Sequence, residues 1–254
     1  MKKAFLSFLF ILHLTFVFSQ GEIDDENKIL FRNEKSYGVS LNTNGYGIGY
    51  RFARHINIHK KFSVEGDVNI VKHSKEKKIT NPLTYNIFNY VYGKTNYAFN
   101  IRLSAGMQHE LYRKFDRNSV SVRLFYSGGL SAMFLKPIYY DVWDDSLNTT
   151  KTQLFEKNTP WWFIYDKKPF TKGFNEIKII PGIYVKTGVS FEFGKTDKKL
   201  SVLETGISFE AYPKDIKIME TEYNPRFLPI LFLSYRFGKV VSNYYLKDAD
   251  ENRN

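Results

Sequence analysis

The chain has no cysteine among its 254 residues. That absence excludes a disulfide framework, a thiolate metal site, a cysteine nucleophile and a cysteine-borne lipoprotein anchor. Long apolar runs are also missing after residue 20, so no later segment offers the roughly 18–20 apolar residues a spanning helix needs. Proline (8) and methionine (4) are sparse, and no stretch repeats its apolar residues with the 3.6 period of an amphipathic helix. Aromatic residues are plentiful instead: 23 Phe, 18 Tyr and 3 Trp. The formal net charge of +11 taken alone points to an acidic partner.

Residues 1–19 have the form of an export signal. Lys2 and Lys3 supply a positive end, Ala4 to Phe18 is nearly all apolar, and Val17-Phe18-Ser19 suits cleavage before Gln20. Its apolar core, about 15 residues, is short for a spanning helix. Loss of Lys2 and Lys3 lowers the net charge from +11 to +9. An exported chain without a spanning helix either stays soluble or crosses a membrane as strands.

Period-two alternation runs along the mature chain. Tyr37, Val39 and Leu41 alternate with Ser36, Gly38 and Ser40, and after Asn42-Thr43-Asn44-Gly45 the residues Tyr46, Ile48, Tyr50 and Phe52 alternate with Gly47, Gly49 and Arg51. The same pattern recurs around Phe62–Ile70, Phe99–Met107, Val120–Tyr126, Ile183–Phe193, Leu203–Ala211 and Phe227–Phe237. Eight strands are expected, or ten if the fifth connection hides a further pair. Their connections alternate in length. The even-numbered ones are short (near His55–Lys61, Tyr112–Asn118 and Lys195–Lys199), and three of the four odd-numbered ones are long (Ser74–Thr95, Lys136–Asn175, Pro213–Arg226). A soluble sandwich has no reason to sort its loops so. An antiparallel transmembrane barrel does, with short periplasmic turns and long extracellular loops. The expected layout is a periplasmic N-terminal segment at 20–35, the barrel at 36–239 and a polar periplasmic tail at 240–254.

The polar phase of these strands carries Arg51, Glu65, Asp67, Arg102, Glu110, Arg123, Lys186, Glu192, Glu204, Glu210 and Arg236. On a lipid face each mid-membrane Arg or Lys would cost roughly 2–4 kcal/mol. Inside an eight-strand barrel, where side chains fill the interior, they can pair as a structural network. The apolar phase, rich in Tyr, Phe and branched residues, suits a lipid-facing band with aromatic girdles. Lys72, Lys75, Lys77 and Lys78 gather at the end of the third strand, on the expected extracellular side, where they could hold lipopolysaccharide phosphates. Lys60-Lys61, Arg113-Lys114 and Lys198-Lys199 read as solubilising residues of periplasmic turns. A nucleic-acid partner falls away for a lipid-embedded chain.

Chemistry-bearing constellations are few. His55 and His59 are four apart but in an extended or turn segment, which does not bring them to one face, so no metal site is assigned. His109-Glu110 resembles part of a triad, yet neighbours in a strand point to opposite faces. Gly45-Tyr46-Gly47-Ile48-Gly49 has a strand pattern with no helix behind it, which excludes a dinucleotide loop. No catalytic residue and no cofactor are assigned. The fifth connection is the most unusual segment: Tyr139, Tyr140 and Trp143 precede a polar stretch, and Trp161, Trp162 and Phe163 follow it. Aromatics at this density form a cap over the barrel mouth, a prolonged hairpin, or a partner surface.

Thr43-Asn44-Gly45-Tyr46-Gly47, Tyr92-Gly93-Lys94-Thr95-Asn96, Tyr126-Ser127-Gly128-Gly129-Leu130-Ser131 and Lys136-Pro137-Ile138-Tyr139-Tyr140 stand in order along the chain, with Tyr235-Arg236-Phe237-Gly238 near its end. With these motifs the sequence resembles a family of uncharacterised outer-membrane barrel proteins of the Bacteroidota. The resemblance implies an outer-membrane barrel and carries over no catalytic residues. By analogy with the large outer-membrane assemblies of that phylum, it implies an accessory subunit. The reading is therefore a structural or accessory binding protein of a Gram-negative outer membrane, its expected partners lipid, lipopolysaccharide and a larger assembly of that membrane. Two alternatives stand beside it: a membrane-embedded lipid or lipopolysaccharide hydrolase, and a narrow solute channel.

Overall fold

The computed structural model describes residues 32–57, 59–82, 89–112, 120–145, 148–193 and 199–242. The export signal and most of the tail at 240–254 lie outside them.

Eight strands close into one antiparallel barrel: β1 (Arg32–Asn42), β2 (Gly45–Asn57), β3 (Lys60–Val71), β6 (Asn96–Tyr112), β7 (Ser121–Pro137), β11 (Lys178–Glu192), β12 (Lys199–Ala211) and β13 (Phe227–Ser242). Each pairs with its neighbour in chain order, and β1 pairs with β13 to close the wall. The remaining strands stand outside the wall. β4 (Lys78–Thr80) and β5 (Asn89–Val91) form a hairpin between β3 and β6. β8 (Tyr139–Asp144), β9 (Thr149–Leu154) and β10 (Ile164–Lys167) form a three-stranded sheet between β7 and β11, in the order β10-β8-β9. The fifth connection thus adds a separate sheet and leaves the barrel at eight strands.

The wall extends beyond 36–239. β1 begins at Arg32 and β13 ends at Ser242, and Arg32 is paired with Ser242. Two sequence-based placements are corrected by the observed strand bounds. Glu34 belongs to the wall instead of a periplasmic segment, and Lys61 belongs to β3 instead of a turn. Both are buried and form an ion pair with one another. The reason is phase: Lys61 is in step with Ser63, Glu65 and Asp67, so the pleat aims it inward.

Alternation sorts the two faces. Outward residues such as Leu41, Ile48, Leu103, Leu130 and Ile183 are 62–69% exposed. They continue around the wall through Val39, Val64, Val68, Ile207, Leu231 and Leu233, all exposed. In water an apolar belt of this extent would be strongly unfavourable, since monomeric soluble proteins rarely expose patches beyond a few hundred Å². Against hydrocarbon the same belt loses nothing. Tyr37, Tyr50 and Phe237 pack as neighbours across β1, β2 and β13, at 5.2 and 6.3 Å between ring centroids.

Small residues on the inward phase make room for the charges. A Cβ on Gly49 would collide with the Asp67 carboxylate, and one on Gly38 would stand 3.0 Å from Cγ of Arg236. Gly45 turns the chain between β1 and β2 at φ +154°, where a side chain would strike the Ile70 carbonyl.

Candidate functional site

Three tiers of polar side chains fill the lumen. At its centre, the Glu65 carboxylate receives Arg51 (Nε at 2.9 Å), Lys186 (Nζ at 3.0 Å) and the Arg236 guanidinium. Glu204 receives Arg51 (Nη2 at 3.1 Å) and Arg236 (Nε at 2.8 Å). Asp67 lies 3.9 Å from Nη2 of Arg236. Towards the long-loop end, Arg102 pairs with Glu210, which also accepts from Asn100 and from the Tyr212 hydroxyl. Towards the short-turn end, Arg123 pairs with Glu192 and stands 3.5 Å from Glu110, while Lys61 pairs with Glu34. Every lumen charge named in the sequence reading is brought into this network. Glu34 and Lys61 join it unforeseen.

The same tiers hold aromatic rings that alternation does not announce. Phe125 and Phe232 face inward and are buried, and the Lys186 ammonium lies 4.7 Å from the Phe232 ring centre. Arg51 stands 5.6 Å from Phe125, and Arg102 stands 4.9 Å from Tyr184. Cation–π contact and ion pairing thus share the desolvation of three cations. A cavity of about 10 Å³ remains between Asp67, Tyr184, Lys186 and Arg236, enough for about one water. Orphaned polar atoms around it, among them the Tyr184 hydroxyl and Ser208 and Ser234 Oγ, would hydrogen-bond such a water.

Above the charges the mouth is closed by an apolar layer. The last connection, residues 212–226, folds inward, and Ile216, Ile218 and Met219 pack on Val71, Ala98, Met133, Leu135 and Ile180 of the wall. Its backbone is tied to the third connection: Thr95 N–H donates to the Ile218 carbonyl at 3.0 Å, and Glu220 N–H to the Gly93 carbonyl at 2.7 Å. The apolar spacing Ile216-x-Ile218-Met219 within a polar loop was the available signal for this plug.

Over the plug sits the aromatic cap. Tyr90, Ile138, Tyr140, Val142, Phe155 and Ile164 form its core. Tyr140 is buried, which assigns it to the cap interior and removes it from any partner surface. Its hydroxyl donates to the Lys94 carbonyl at 3.0 Å. Phe163 packs against the same core. Asn81 Nδ2 donates to the Trp162 and Ile164 carbonyls (3.2 and 2.9 Å), and the Tyr90 hydroxyl to the Trp161 carbonyl (2.8 Å). The two largest connections are therefore one body. Burial pushes the Tyr90 phenol up to about 12, with nearby Tyr92 adding to it. Burial would push the Asp141 carboxyl up too, but hydrogen bonds from Lys168 and Thr152 hold it below the usual carboxylate range. Trp161 and Trp162 are 39% and 45% exposed on the cap surface. Trp143 stacks obliquely on Tyr165 at 5.6 Å, and Tyr139 hydrogen-bonds Glu176.

Lys72, Lys75, Lys77 and Lys78 are all exposed around the base of the third connection. Lys72 stands 5.4 Å above the Tyr46 ring, at the upper margin of the apolar belt. The one acid among them, Glu76, is engaged by Lys94 at 2.8 Å and by the His73 N–H. His109 stacks on Tyr126 on the outward face, whereas Glu110 turns inward to Ser121 and Arg123. The two are thus kept apart by the wall. His55 is buried in the wall and His59 lies beyond the end of β2. Among the described residues no three of His, Asp and Glu gather as metal ligands would.

A closed antiparallel wall, apolar outside and ionic inside, defines the class of small membrane-spanning β-barrels. No protein-family model and no curated protein matches the chain. Among solved structures, it is similar to Ail, the attachment invasion locus protein of Yersinia pestis, in complex with the heparin analogue sucrose octasulfate, at 6% identity over 83% of this chain and 97% of that one, with a TM-score of 0.38. Neisserial surface protein A gives 11% identity over 81% and 94%, TM-score 0.38. The N-terminal β-barrel domain of Pseudomonas aeruginosa OprF gives 7% identity over 83% and 98%, TM-score 0.38.

Proposed function

We propose that this protein is an outer-membrane β-barrel of a Gram-negative bacterium with a structural or accessory binding role, exercised through its crown of long loops and without catalysis. One observation carries the reading: the lumen is filled and plugged, while three long connections from one end of the barrel lock together into a folded, aromatic-rich crown. A filled interior serves the stability of the wall, which leaves the crown as the part available for binding. The basic residues Lys72, Lys75, Lys77 and Lys78, rising from the belt margin at Tyr46, fit the phosphates of lipopolysaccharide.

Binding of lipopolysaccharide to the purified full chain tests the lipid part of this reading. Wild type should retain phosphorylated lipopolysaccharide, and Lys72→Gln/Lys75→Gln/Lys77→Gln/Lys78→Gln should retain less, by about fivefold per lysine engaged. Equal retention overturns it. The accessory part is tested by size in mild detergent at native expression: a monomer alone contradicts it. A changed lipid A profile in a deletion strain would favour the hydrolase instead.

A further inference from the structure

Register places Lys136 where a lysine is least expected. On β7 the even-numbered residues Leu124, Tyr126 and Leu130 face outward and are exposed. Lys136 shares their phase, opposite the outward-facing Tyr97 of β6, and so stands on the lipid side of the wall, two residues above Phe134. Yet it is only 1% exposed. The end of the long connection covers it: residues 167–174 fold back down the outside of the barrel. The Lys136 ammonium lies 4.7 Å from the Phe170 ring centre, 5.3 Å from Phe174 and 5.5 Å from Tyr97, and donates to the Lys172 carbonyl at 2.8 Å.

The covering segment is apolar on its own outer side. Phe170 and Phe174 are 47% and 48% exposed. Phe170 packs edge-on against Tyr97 and Phe99, at 5.3 and 6.1 Å, so its ring prolongs the apolar belt without a break. Gly173, at φ +86°, turns the chain between the two rings. Lys172 is exposed beside them, its ammonium 5.1 Å above Tyr139, and Lys167 lies 5.9 Å from Tyr97. Among the described residues neither comes within salt-bridge distance of a carboxylate; Lys172 reaches Asp141 only through its longer-range field, and Asp141 is committed to Lys168 at 2.8 Å and Glu176 to the Tyr139 hydroxyl. Exposed phenylalanines continuous with a lipid belt, edged by lysines outside salt-bridge contact, have the composition of an interfacial membrane anchor.

We propose that this foot, Lys167–Phe174, is a second lipid site: Phe170 and Phe174 enter the outer leaflet, and Lys167 and Lys172 hold the phosphate of a phosphorylated outer-leaflet glycolipid. The site rests on the membrane-spanning reading but not on the lysines of the third connection. It lies against β6 and β7, with β3 between it and the Tyr46 margin on β2. Lys136 acts as the post on which the foot is mounted.

The absence of cysteine makes the test direct. Nitroxides are attached to Phe170→Cys and, separately, Phe174→Cys in the full chain in lipid nanodiscs, with Leu103→Cys in the belt and Tyr223→Cys on a loop as references. Both foot labels should collide with oxygen as Leu103→Cys does and be shielded from an aqueous nickel chelate. Nickel accessibility equal to that at Tyr223→Cys overturns the proposal. Nickel accessibility at Leu103→Cys as well overturns the membrane reading beneath it. For the phosphate, native mass spectrometry is run on the chain with Lys72, Lys75, Lys77 and Lys78 already changed to Gln. Adding Lys167→Gln and Lys172→Gln should lower retention of bis-phosphorylated lipid A by about fivefold each and leave dephosphorylated lipid A unaffected. Unchanged retention, or equal loss of both lipids, contradicts a phosphate site.

Discussion

Arg51 and Glu204 are 153 residues apart in sequence, and their strands are separated in the wall by β1 and β13, yet their side chains join inside the lumen through both guanidinium Nη atoms. Each is less than 8% exposed. Glu65 and Arg236 complete the square, with Lys186 as a third cation on Glu65. The network therefore ties β2, β3, β11, β12 and β13 to one another through the interior as well as through the wall.

Removing one charge from such a network leaves its partners buried and uncompensated, at a cost of about 3–5 kcal/mol. Glu204→Gln should destabilise the barrel by that amount, read as a shifted urea midpoint in vesicles by far-ultraviolet circular dichroism of the strands. The pair Arg51→Met/Glu204→Gln should cost less than the sum of the singles, because the stranded charge is gone. Additive losses would contradict the pairing.

The charged tiers and the plug lie in series, so either alone seals the lumen. Planar-bilayer recording should show no steady conductance for the native chain, nor for Ile218→Ala/Met219→Ala, which loosens the plug alone. Stable openings in the double variant would show that the charged tiers conduct.

The crown should loosen in alkali before the barrel does. The Tyr90 phenol titrates at about 12 instead of its ordinary 10.0, so burial favours its neutral, donating form. A raised pKa gives stability that is complete below pH 10 and lost as pH rises through 12. Proteolysis within 139–167 should accelerate across that window. Tyr90→Phe, which lacks the hydroxyl that donates to Trp161, should be cut faster at neutral pH and respond less to alkali. An identical pH profile in the two proteins would contradict the assignment.

What the sequence made legible follows from period two. A face repeated every second residue is visible in one dimension, so the wall, its lumen charges and the sorting of long and short connections could be read before the structure. Lys61 and Glu34 were misplaced because basic and acidic residues near a strand end resemble turn residues; only their phase distinguishes them. Phe125 and Phe232 stand on the charged phase, where hydrophobicity alone predicts the opposite face. Lys136 was hidden for a different reason. Its burial depends on a segment more than thirty positions away folding back over it, which no local pattern encodes. Likewise, Tyr140 and Trp143 belong to one aromatic stretch, and only the β8 pairing turns the first into the cap core.

A membrane-spanning barrel with its crown on the cell surface can be probed by single-cysteine labelling of intact cells, because the native chain contributes no thiol. Tyr223→Cys and Lys151→Cys should react with a membrane-impermeant maleimide on whole cells. His59→Cys and Lys199→Cys, at the short-turn end, should react only after the outer membrane is opened. Labelling of His59→Cys on whole cells, with Tyr223→Cys protected, would contradict a barrel whose long-loop end faces the cell exterior.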